Sequence, residues 1–320
     1  MVPRDSEPRK VAPVHQRSCF RPPGPTCLLV GLLSVTCLGS DPWADTVVDW
    51  VPGLGGAPGY DDPGTAIGPP ERFSGEGMSP GVVSPFQPAW APHELVSLGA
   101  GGSLILGFDD WIENDASNPY GIDLIIFGNS GFIDGGYPFG IVNGLFGADG
   151  GDISLSDDGI TWHPVPGCLA DSAWPTLGWL DAQPYDDVPG NEPANHLMPM
   201  DPELNWEDLI GLGWDEVMSA YGQSAGGIGI DLEDVMLERV RFVRIHNPED
   251  AFLSPEIDAV VDVPADQPAD LNGDGATDVS DLLLLLEFWG GVEAGHQADF
   301  DGNGLVDVTD LLYLLESWTS

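Results

Sequence analysis

ADLNGDGATDVSDLLLLLEFWGG, residues 269–291, and ADFDGNGLVDVTDLLYLLESWTS, residues 298–320, are one pattern written twice. The copies stand 29 residues apart, and 13 of their 23 aligned positions are identical. A repeat at a fixed offset reports one structural unit used twice. Each copy opens with oxygen-bearing side chains at the spacing of a cation loop. In the first, Asp270, Asn272 and Asp274 hold loop positions 1, 3 and 5. Gly275 falls at position 6, where the loop turns sharply, and Ala276 offers a backbone carbonyl at 7. Asp278 and Asp281 complete the set at 9 and 12. The second copy supplies Asp299, Asp301, Asn303, Leu305, Asp307 and Asp310, with Gly304 at the turn. A hard cation takes about six to eight oxygens, and this spacing wraps them around one point. Each loop carries four carboxylates that repel one another without a cation. Two calcium ions are therefore expected in the tail.

After each loop the spacing predicts a helix. Val279, Leu282, Leu283, Leu285, Leu286 and Trp289 form a wide apolar face, and Val308, Leu311, Leu312, Leu314, Leu315 and Trp318 repeat it. The two faces are expected to pack on each other. No helical pattern precedes either loop, and position 12 is Asp rather than the Glu of the paired-helix calcium hand.

These features resemble type I dockerin, the module that plugs into cohesin domains in cellulosome-like assemblies. The resemblance covers residues 270–320. It implies two calcium ions and a cohesin-like scaffold or cell-envelope partner. It also implies that recognition sits at loop positions 10 and 11, here Val279, Ser280, Val308 and Thr309. The basic residues common later in the family helix are absent; Leu286 and Glu287 stand there instead. A module of this kind is expected to fold through its calcium, joined by a 264–269 linker to a domain that its loss would affect little.

The chain has 320 residues and a formal net charge of −43, with nine Lys and Arg in all. Five of the nine lie in the first 21 residues; Arg72, Arg239, Arg241 and Arg244 are the rest. Such a surface repels nucleic acid and anionic membrane and suits cation binding. The basic leader runs into an apolar stretch from Cys27 to Leu38, too short to span a bilayer. Residues 1–40 are therefore read as a signal peptide, and the mature protein as secreted or cell-surface, with no membrane span. Cys19, Cys27 and Cys37 leave with that segment, so Cys168 remains alone, read as a small buried hydrophobe.

Residues 45–263 alternate short apolar runs with Gly, Pro, Asn and Asp clusters, the pattern of an all-β domain. Strands are expected at 46–51, 94–98, 103–108, 122–127, 152–156, 161–165, 240–246 and 257–263, with a short helix at Trp206–Leu212 or Trp214–Tyr221. Asp152 to Trp162 reads as a hairpin with an Asp-Gly turn at Asp158-Gly159. That hairpin, the run Arg239 to Ile245, the segment Glu256 to Val260 and Ala66-Ile67-Gly68-Pro69-Pro70 resemble galactose-binding-like, discoidin-like jelly rolls. The expected fold class is thus mainly β, a jelly-roll β-sandwich followed by a small α-helical dockerin-like domain. In several families of that fold the last strand's Asp helps hold a structural calcium. Asp258 matches it, with Asp61 or Asp62 as partners; the alternative is an Asp paired with Arg241 or Arg244.

The stretch from Asp171 to Gly227 is too long for an ordinary connection and is rich in aromatics. Trp174, Trp179 and Tyr185 can stack on sugar rings while Asp186, Asp187, Asn191 and Asn195 bond hydroxyls; a small satellite core is the other reading. Catalytic residues cannot be named. Acids are so abundant that any glycosidase spacing occurs, and nucleophile-elbow, zinc and phosphate-loop motifs are missing. His196, near Asp187 and Asp201, is read as a satellite-core or surface side chain, with a place in a metal site as the other reading. The expected function is a secreted calcium-binding protein whose sandwich binds carbohydrate or a cell-surface ligand. The alternatives are a polysaccharide-degrading glycoside hydrolase or its accessory subunit, and a structural cell-surface protein.

Overall fold

The computed structural model describes residues 42–263, 269–272, 277–292, 296–300 and 303–318. The 1–40 segment, residues 264–268 and the ligand positions Asp274, Ala276 and Asp301 lie outside the described residues. The chain is mainly β, in antiparallel sheets. Its first strands are β1 (Thr46–Val51), β2 (Phe73–Ser74), β3 (Gly81–Val82), β4 (Val96–Ser97) and β5 (Ser103–Glu113). There follow β6 (Leu124–Gly128), β7 (Gly131–Asp134), β8 (Val142–Phe146), β9 (Gly150–Ser156) and β10 (His163–Asp171). After a long connection holding α1 (Trp214–Tyr221) come β11 (Ile228–Ile230), β12 (Arg239–His246) and β13 (Glu256–Asp262). The larger sheet runs β1-β5-β12-β9-β10, the smaller β11-β6-β13-β4, and β2-β3 and β7-β8 are separate ribbons.

Period-two alternation builds the larger sheet. On β5, Leu104 and Leu106 point inward; on β9, Ile153 and Leu155 do. On β12 a register shift between Val240 and Phe242 moves the phase, so Val240, Val243 and Ile245 all face the core. The opposite side of β12 is left to Arg241, Arg244 and His246. The inward residues meet Leu124, Ile126, Ile257 and Val260 of the smaller sheet in one buried cluster. Burying each of these side chains stabilises by roughly 1.5–3 kcal/mol.

The smaller sheet is covered on both faces. Its reverse side, with Ile125, Phe127, Ala259 and Val261, carries a second cluster with Leu177, Leu197, Met200, Val217 and Tyr221 from the long connection. A doubly covered sheet needs apolar side chains at consecutive positions, which is why β6 reads Leu-Ile-Ile-Phe and β13 is buried almost throughout. The 171–227 stretch is therefore a third layer with its own core. Its helix α1 starts at Gly213, whose N–H is accepted by Glu216, and stops at Gly222. No helix among the described residues is long and apolar enough to cross a membrane.

Candidate functional site

The tail folds as two related halves. Helices α2 (Val279–Glu287) and α3 (Val308–Glu316) begin where the sequence places them. Asp278 accepts from Ser280 N at 2.6 Å and Asp307 from Thr309 N at 2.7 Å, so the position 9 acids are also the helix N-caps. The position 12 acids close the structure. Asp281 is fully buried and accepts from Leu271 N, Asn272 N and Asp278 N at 2.8, 3.1 and 2.8 Å. Asp310, equally buried, accepts from Phe300 N and Asp307 N, both at 2.8 Å. Each carboxylate thus ties the start of its loop to the start of its helix. In the second loop Asp299 accepts from Asn303 N and Gly304 N, and Gly304 takes φ +85° at the sharp turn.

The core of this module obeys the repeat. Ala269 and Ala298, Leu271 and Phe300, Leu282 and Leu311, and Leu285 and Leu314 are pairs 29 residues apart within one cluster. Two short strands, β14 (Gly290–Gly291) and β15 (Leu305–Val306), pair between the helices. The expected apolar face proves to be split. Leu282 and Leu285 turn in, whereas Val279, Leu283, Leu286 and Trp289 are exposed, and so are Val308, Leu312, Leu315 and Trp318. Leu283 is 63% and Leu312 54% exposed, more than a packed helix face allows. The sequence reading took both sets as core because the stripe is wider than two small helices can cover.

The donors present suit a hard cation. Asp270 and Asp299 are buried at 5% and 8% exposure, beside the two position 12 acids, and all are carboxylates. The tail contains no Lys or Arg. The nearest guanidinium comes from the β domain. Arg72 donates to Gly178 O at 2.8 Å, Ala194 O at 2.6 Å and Asn272 O at 3.3 Å. Burial lowers its pKa to about 10, opposed by Asp270. His296 Nε2 lies 4.0 Å from Glu192 Oε1. The tail therefore touches the 171–227 layer as well as following the β domain through residues 264–268.

Asp258, the expected third calcium ligand, is buried on β13 and accepts from Glu71 N at 3.1 and 3.3 Å. Its acidic neighbours are Glu71 and Glu94 rather than Asp61 or Asp62, and no Arg of the described residues is paired with it; Asp62 caps Gly64 N instead. Burial pushes the Asp258 pKa well up, and burial with Glu94 and Glu76 raises Glu71 to about 7. Glu76, His93 and Glu94 bring ligand atoms within 4.8 Å of one another next to them. Four donors, from Ser74, Gly75, Trp90 and Ala91, already hold Glu94. The oxygens here match a cation in type, and sequence reading missed Glu71 and Glu94 because only folding brings them to β13.

The aromatic residues of the long connection have internal partners. Trp174 packs edge-on to Tyr221 with centroids 5.8 Å apart. Trp179 donates its Nε1–H to Arg72 O at 3.2 Å. Tyr185 donates to Asp134 at 3.2 Å and meets Tyr137 at 4.9 Å between centroids. Trp174 lines a cleft of about 220 Å³, with neither Trp179 nor Tyr185 in its wall. Beside Tyr185, Tyr137 and Phe139 are both 73% exposed. Asp134 accepts from Gly136, Gly140 and Ile141 N–H groups and fixes the loop that presents them. His196 is a fully buried imidazole against Trp43 and Phe127, with its pKa driven far down by burial. Cys168 is half-buried and its thiol pKa is raised by burial, so it is a poor nucleophile. No protein-family model matches the chain, and no curated protein is similar to it.

Proposed function

We propose that this is an exported calcium-binding protein in which a jelly-roll sandwich carries a ligand-binding surface and a type I dockerin-like tail docks to a cohesin-like partner. The observation that carries the docking half is the duplicated exposed stripe. Val279, Leu283, Leu286 and Trp289, with their counterparts 29 residues on, put eight large apolar side chains in water beside two acidic loops. Soluble proteins hold such patches for partners. Val279, Ser280, Val308 and Thr309 are all exposed at the first turns of α2 and α3, where a partner can reach them. Calcium would be held by the carboxylates and carbonyls of both loops, Asp270 to Asp281 and Asp299 to Asp310. It neutralises the carboxylates from which the two helices start.

The sandwich half binds carbohydrate or a cell-surface ligand. Tyr185 with the exposed Tyr137 and Phe139 supplies flat, rigid rings of the kind on which sugars stack. Hydrolysis is disfavoured by where the perturbed acids lie. A general acid needs a raised pKa and access to substrate. Glu71, Asp149, Asp171, Glu256, Asp258 and Asp262 have raised values. None of them lines the clefts of about 220, 500 and 580 Å³ found among the described residues.

The test is binding of the full chain to type I cohesin domains by calorimetry. Binding should require calcium, vanish on chelation, and fall at least tenfold in a Leu283→Asp, Leu312→Asp double variant. Equal binding by wild type and the double variant would remove the stripe from the interface.

A further inference from the structure

All three arginines of the β domain other than Arg72 lie on one strand, β12. Two of them are accounted for. Arg239 lies 3.9 Å from Glu113 and stacks 4.0 Å over Trp111. Arg241 stacks on Trp111 at 5.2 Å and donates to the carbonyls of Phe108 and Asp109. Arg244 is different. In a chain with 52 acids, no carboxylate of the described residues comes within 4.0 Å of it. Its guanidinium lies 4.5 Å over Trp162, its one hydrogen bond is a long 3.4 Å contact to Ser154 Oγ, and its Nε is buried with no acceptor. A buried donor without an acceptor is costly, and a guanidinium has five N–H groups to satisfy.

The surroundings are built as a groove. Between the pairs Pro164↔Ser154 and Leu169↔Asp152, β10 advances five residues while β9 advances two. The surplus arches off the sheet and leaves a cleft of about 500 Å³, within the range of small-ligand sites. Arg244 and His246 form its floor with Ser154 and Asp152, and Pro164 and Leu169 stand in its wall. His246 Nδ1 is held by Gly102 O at 3.0 Å, which fixes the ring and leaves Nε2 as its other polar atom.

We propose that this groove binds an acidic sugar residue of a polysaccharide, with Arg244 taking the anionic group. The inference rests on the carbohydrate reading above, at a surface separate from Tyr185. A planar carboxylate matches the guanidinium fork in two parallel bonds, and a sulfate can use the same donors. Asp152 and His246 then face hydroxyls, and the pyrrolidine and leucine walls face the sugar ring. A single anion on a sparsely charged chain can reach the site, whereas the surrounding −43 charge repels a dense polyanion such as nucleic acid.

The experiment is calorimetry of the full protein with three trisaccharides: galacturonate, sulfated galactose and neutral galactose. A glutamate-rich peptide is the fourth ligand. At least one acidic trisaccharide should bind ten times or more tightly than the neutral one, weakening as salt rises, and the better arm identifies the anion. Arg244→Gln should remove that preference, Arg244→Lys should keep part of it, and Arg239→Gln should leave it intact. Thermal melts of each variant exclude loss of fold. Neutral and acidic sugars bound alike, with no effect of Arg244→Gln, would overturn the groove assignment while leaving carbohydrate binding standing. Preference for the glutamate-rich peptide would overturn it in favour of a protein partner. Absence of binding by every sugar would overturn both readings.

Discussion

The β domain and the tail keep carboxylates out of water in opposite ways. In the β domain the acids are buried in small groups among apolar side chains. Asp123 is fully buried, yet accepts from Asp115 N, Leu232 N and Asn118 Nδ2. Asp171, also fully buried, accepts from Ser130 N and Glu256 N. Their pKa values rise because burial disfavours the charge. In the tail the acids are gathered around two loops, and Asp281, Asp299 and Asp310 each hold the chain through both carboxylate oxygens. The first arrangement rides on a large apolar core that exists without the acids. The second has, among the described residues, six enclosed apolar side chains to work with, so its acids are the framework.

The sharpest way to break this contrast is to remove calcium. Chelation of the full protein should unfold the tail while the β domain keeps its fold, so calorimetry of the chelated protein should retain the β-domain transition and lose the tail's. Asp281→Ala should do the same with calcium present, because three backbone N–H groups lose their acceptor together with a proposed calcium ligand. Hydrogen exchange over 277–292 and 303–318 is the direct readout, and unchanged protection in both conditions would show that the helices stand alone.

Next in size is the apolar core. Phe127 is fully buried between the smaller sheet and the third layer. Phe127→Ala should cost about 3–5 kcal/mol of β-domain stability in denaturant unfolding. The calcium affinity of the tail should barely move. A large drop in that affinity would mean that the regions are one cooperative unit.

A smaller effect concerns protons. Burial, then Asp123, Asp110 and Glu113, raise Asp262 to about 7. The folded state therefore holds a proton that the unfolded chain releases near pH 4. The stabilisation is complete below that value and is lost as pH rises through about 7. Asp262→Asn should stabilise the β domain by up to about 4 kcal/mol at pH 8 and leave it little changed at pH 4. Melting curves from pH 4 to 8 check this; a variant with the wild-type slope would contradict it. On the proposed calcium reading acid should act the other way on the tail, since calcium needs ionised ligands. The smallest effect belongs to the exposed stripe. Leu283→Ser should change stability by less than about 0.5 kcal/mol, because the side chain is already in water.

Local rules made part of this legible in the sequence. β1 runs Thr46–Val51 as its alternation predicts, and α2 and α3 begin after Asp caps. The Asp158-Gly159 turn forms, with Asp158 accepting from Ile160 N and Thr161 N and Gly159 at φ +71°. What escaped was set by tertiary placement. β7 and β8 are short and glycine-bearing, so neither gives a periodic signal. Both helix candidates near Trp206 and Trp214 exist, the first as a short 3-10 turn to Leu209. Leu285 and Leu286 are identical in type, and only the tail's small size decides that one is buried and the other exposed. The groove at Arg244 depends on an arch in β10 that no turn motif announces.

Arg72 has a mechanical consequence. If the tail docks and the β domain holds a ligand as proposed, tension passes across whatever joins the two. Here the Asn272 carbonyl is clasped by a guanidinium that is itself pinned to Gly178 and Ala194. Tension on the first loop is thus shared with the 171–227 layer and spread over the back of the smaller sheet, instead of peeling β13 from its end. The joint resists shear in proportion to how well that one cation stays buried.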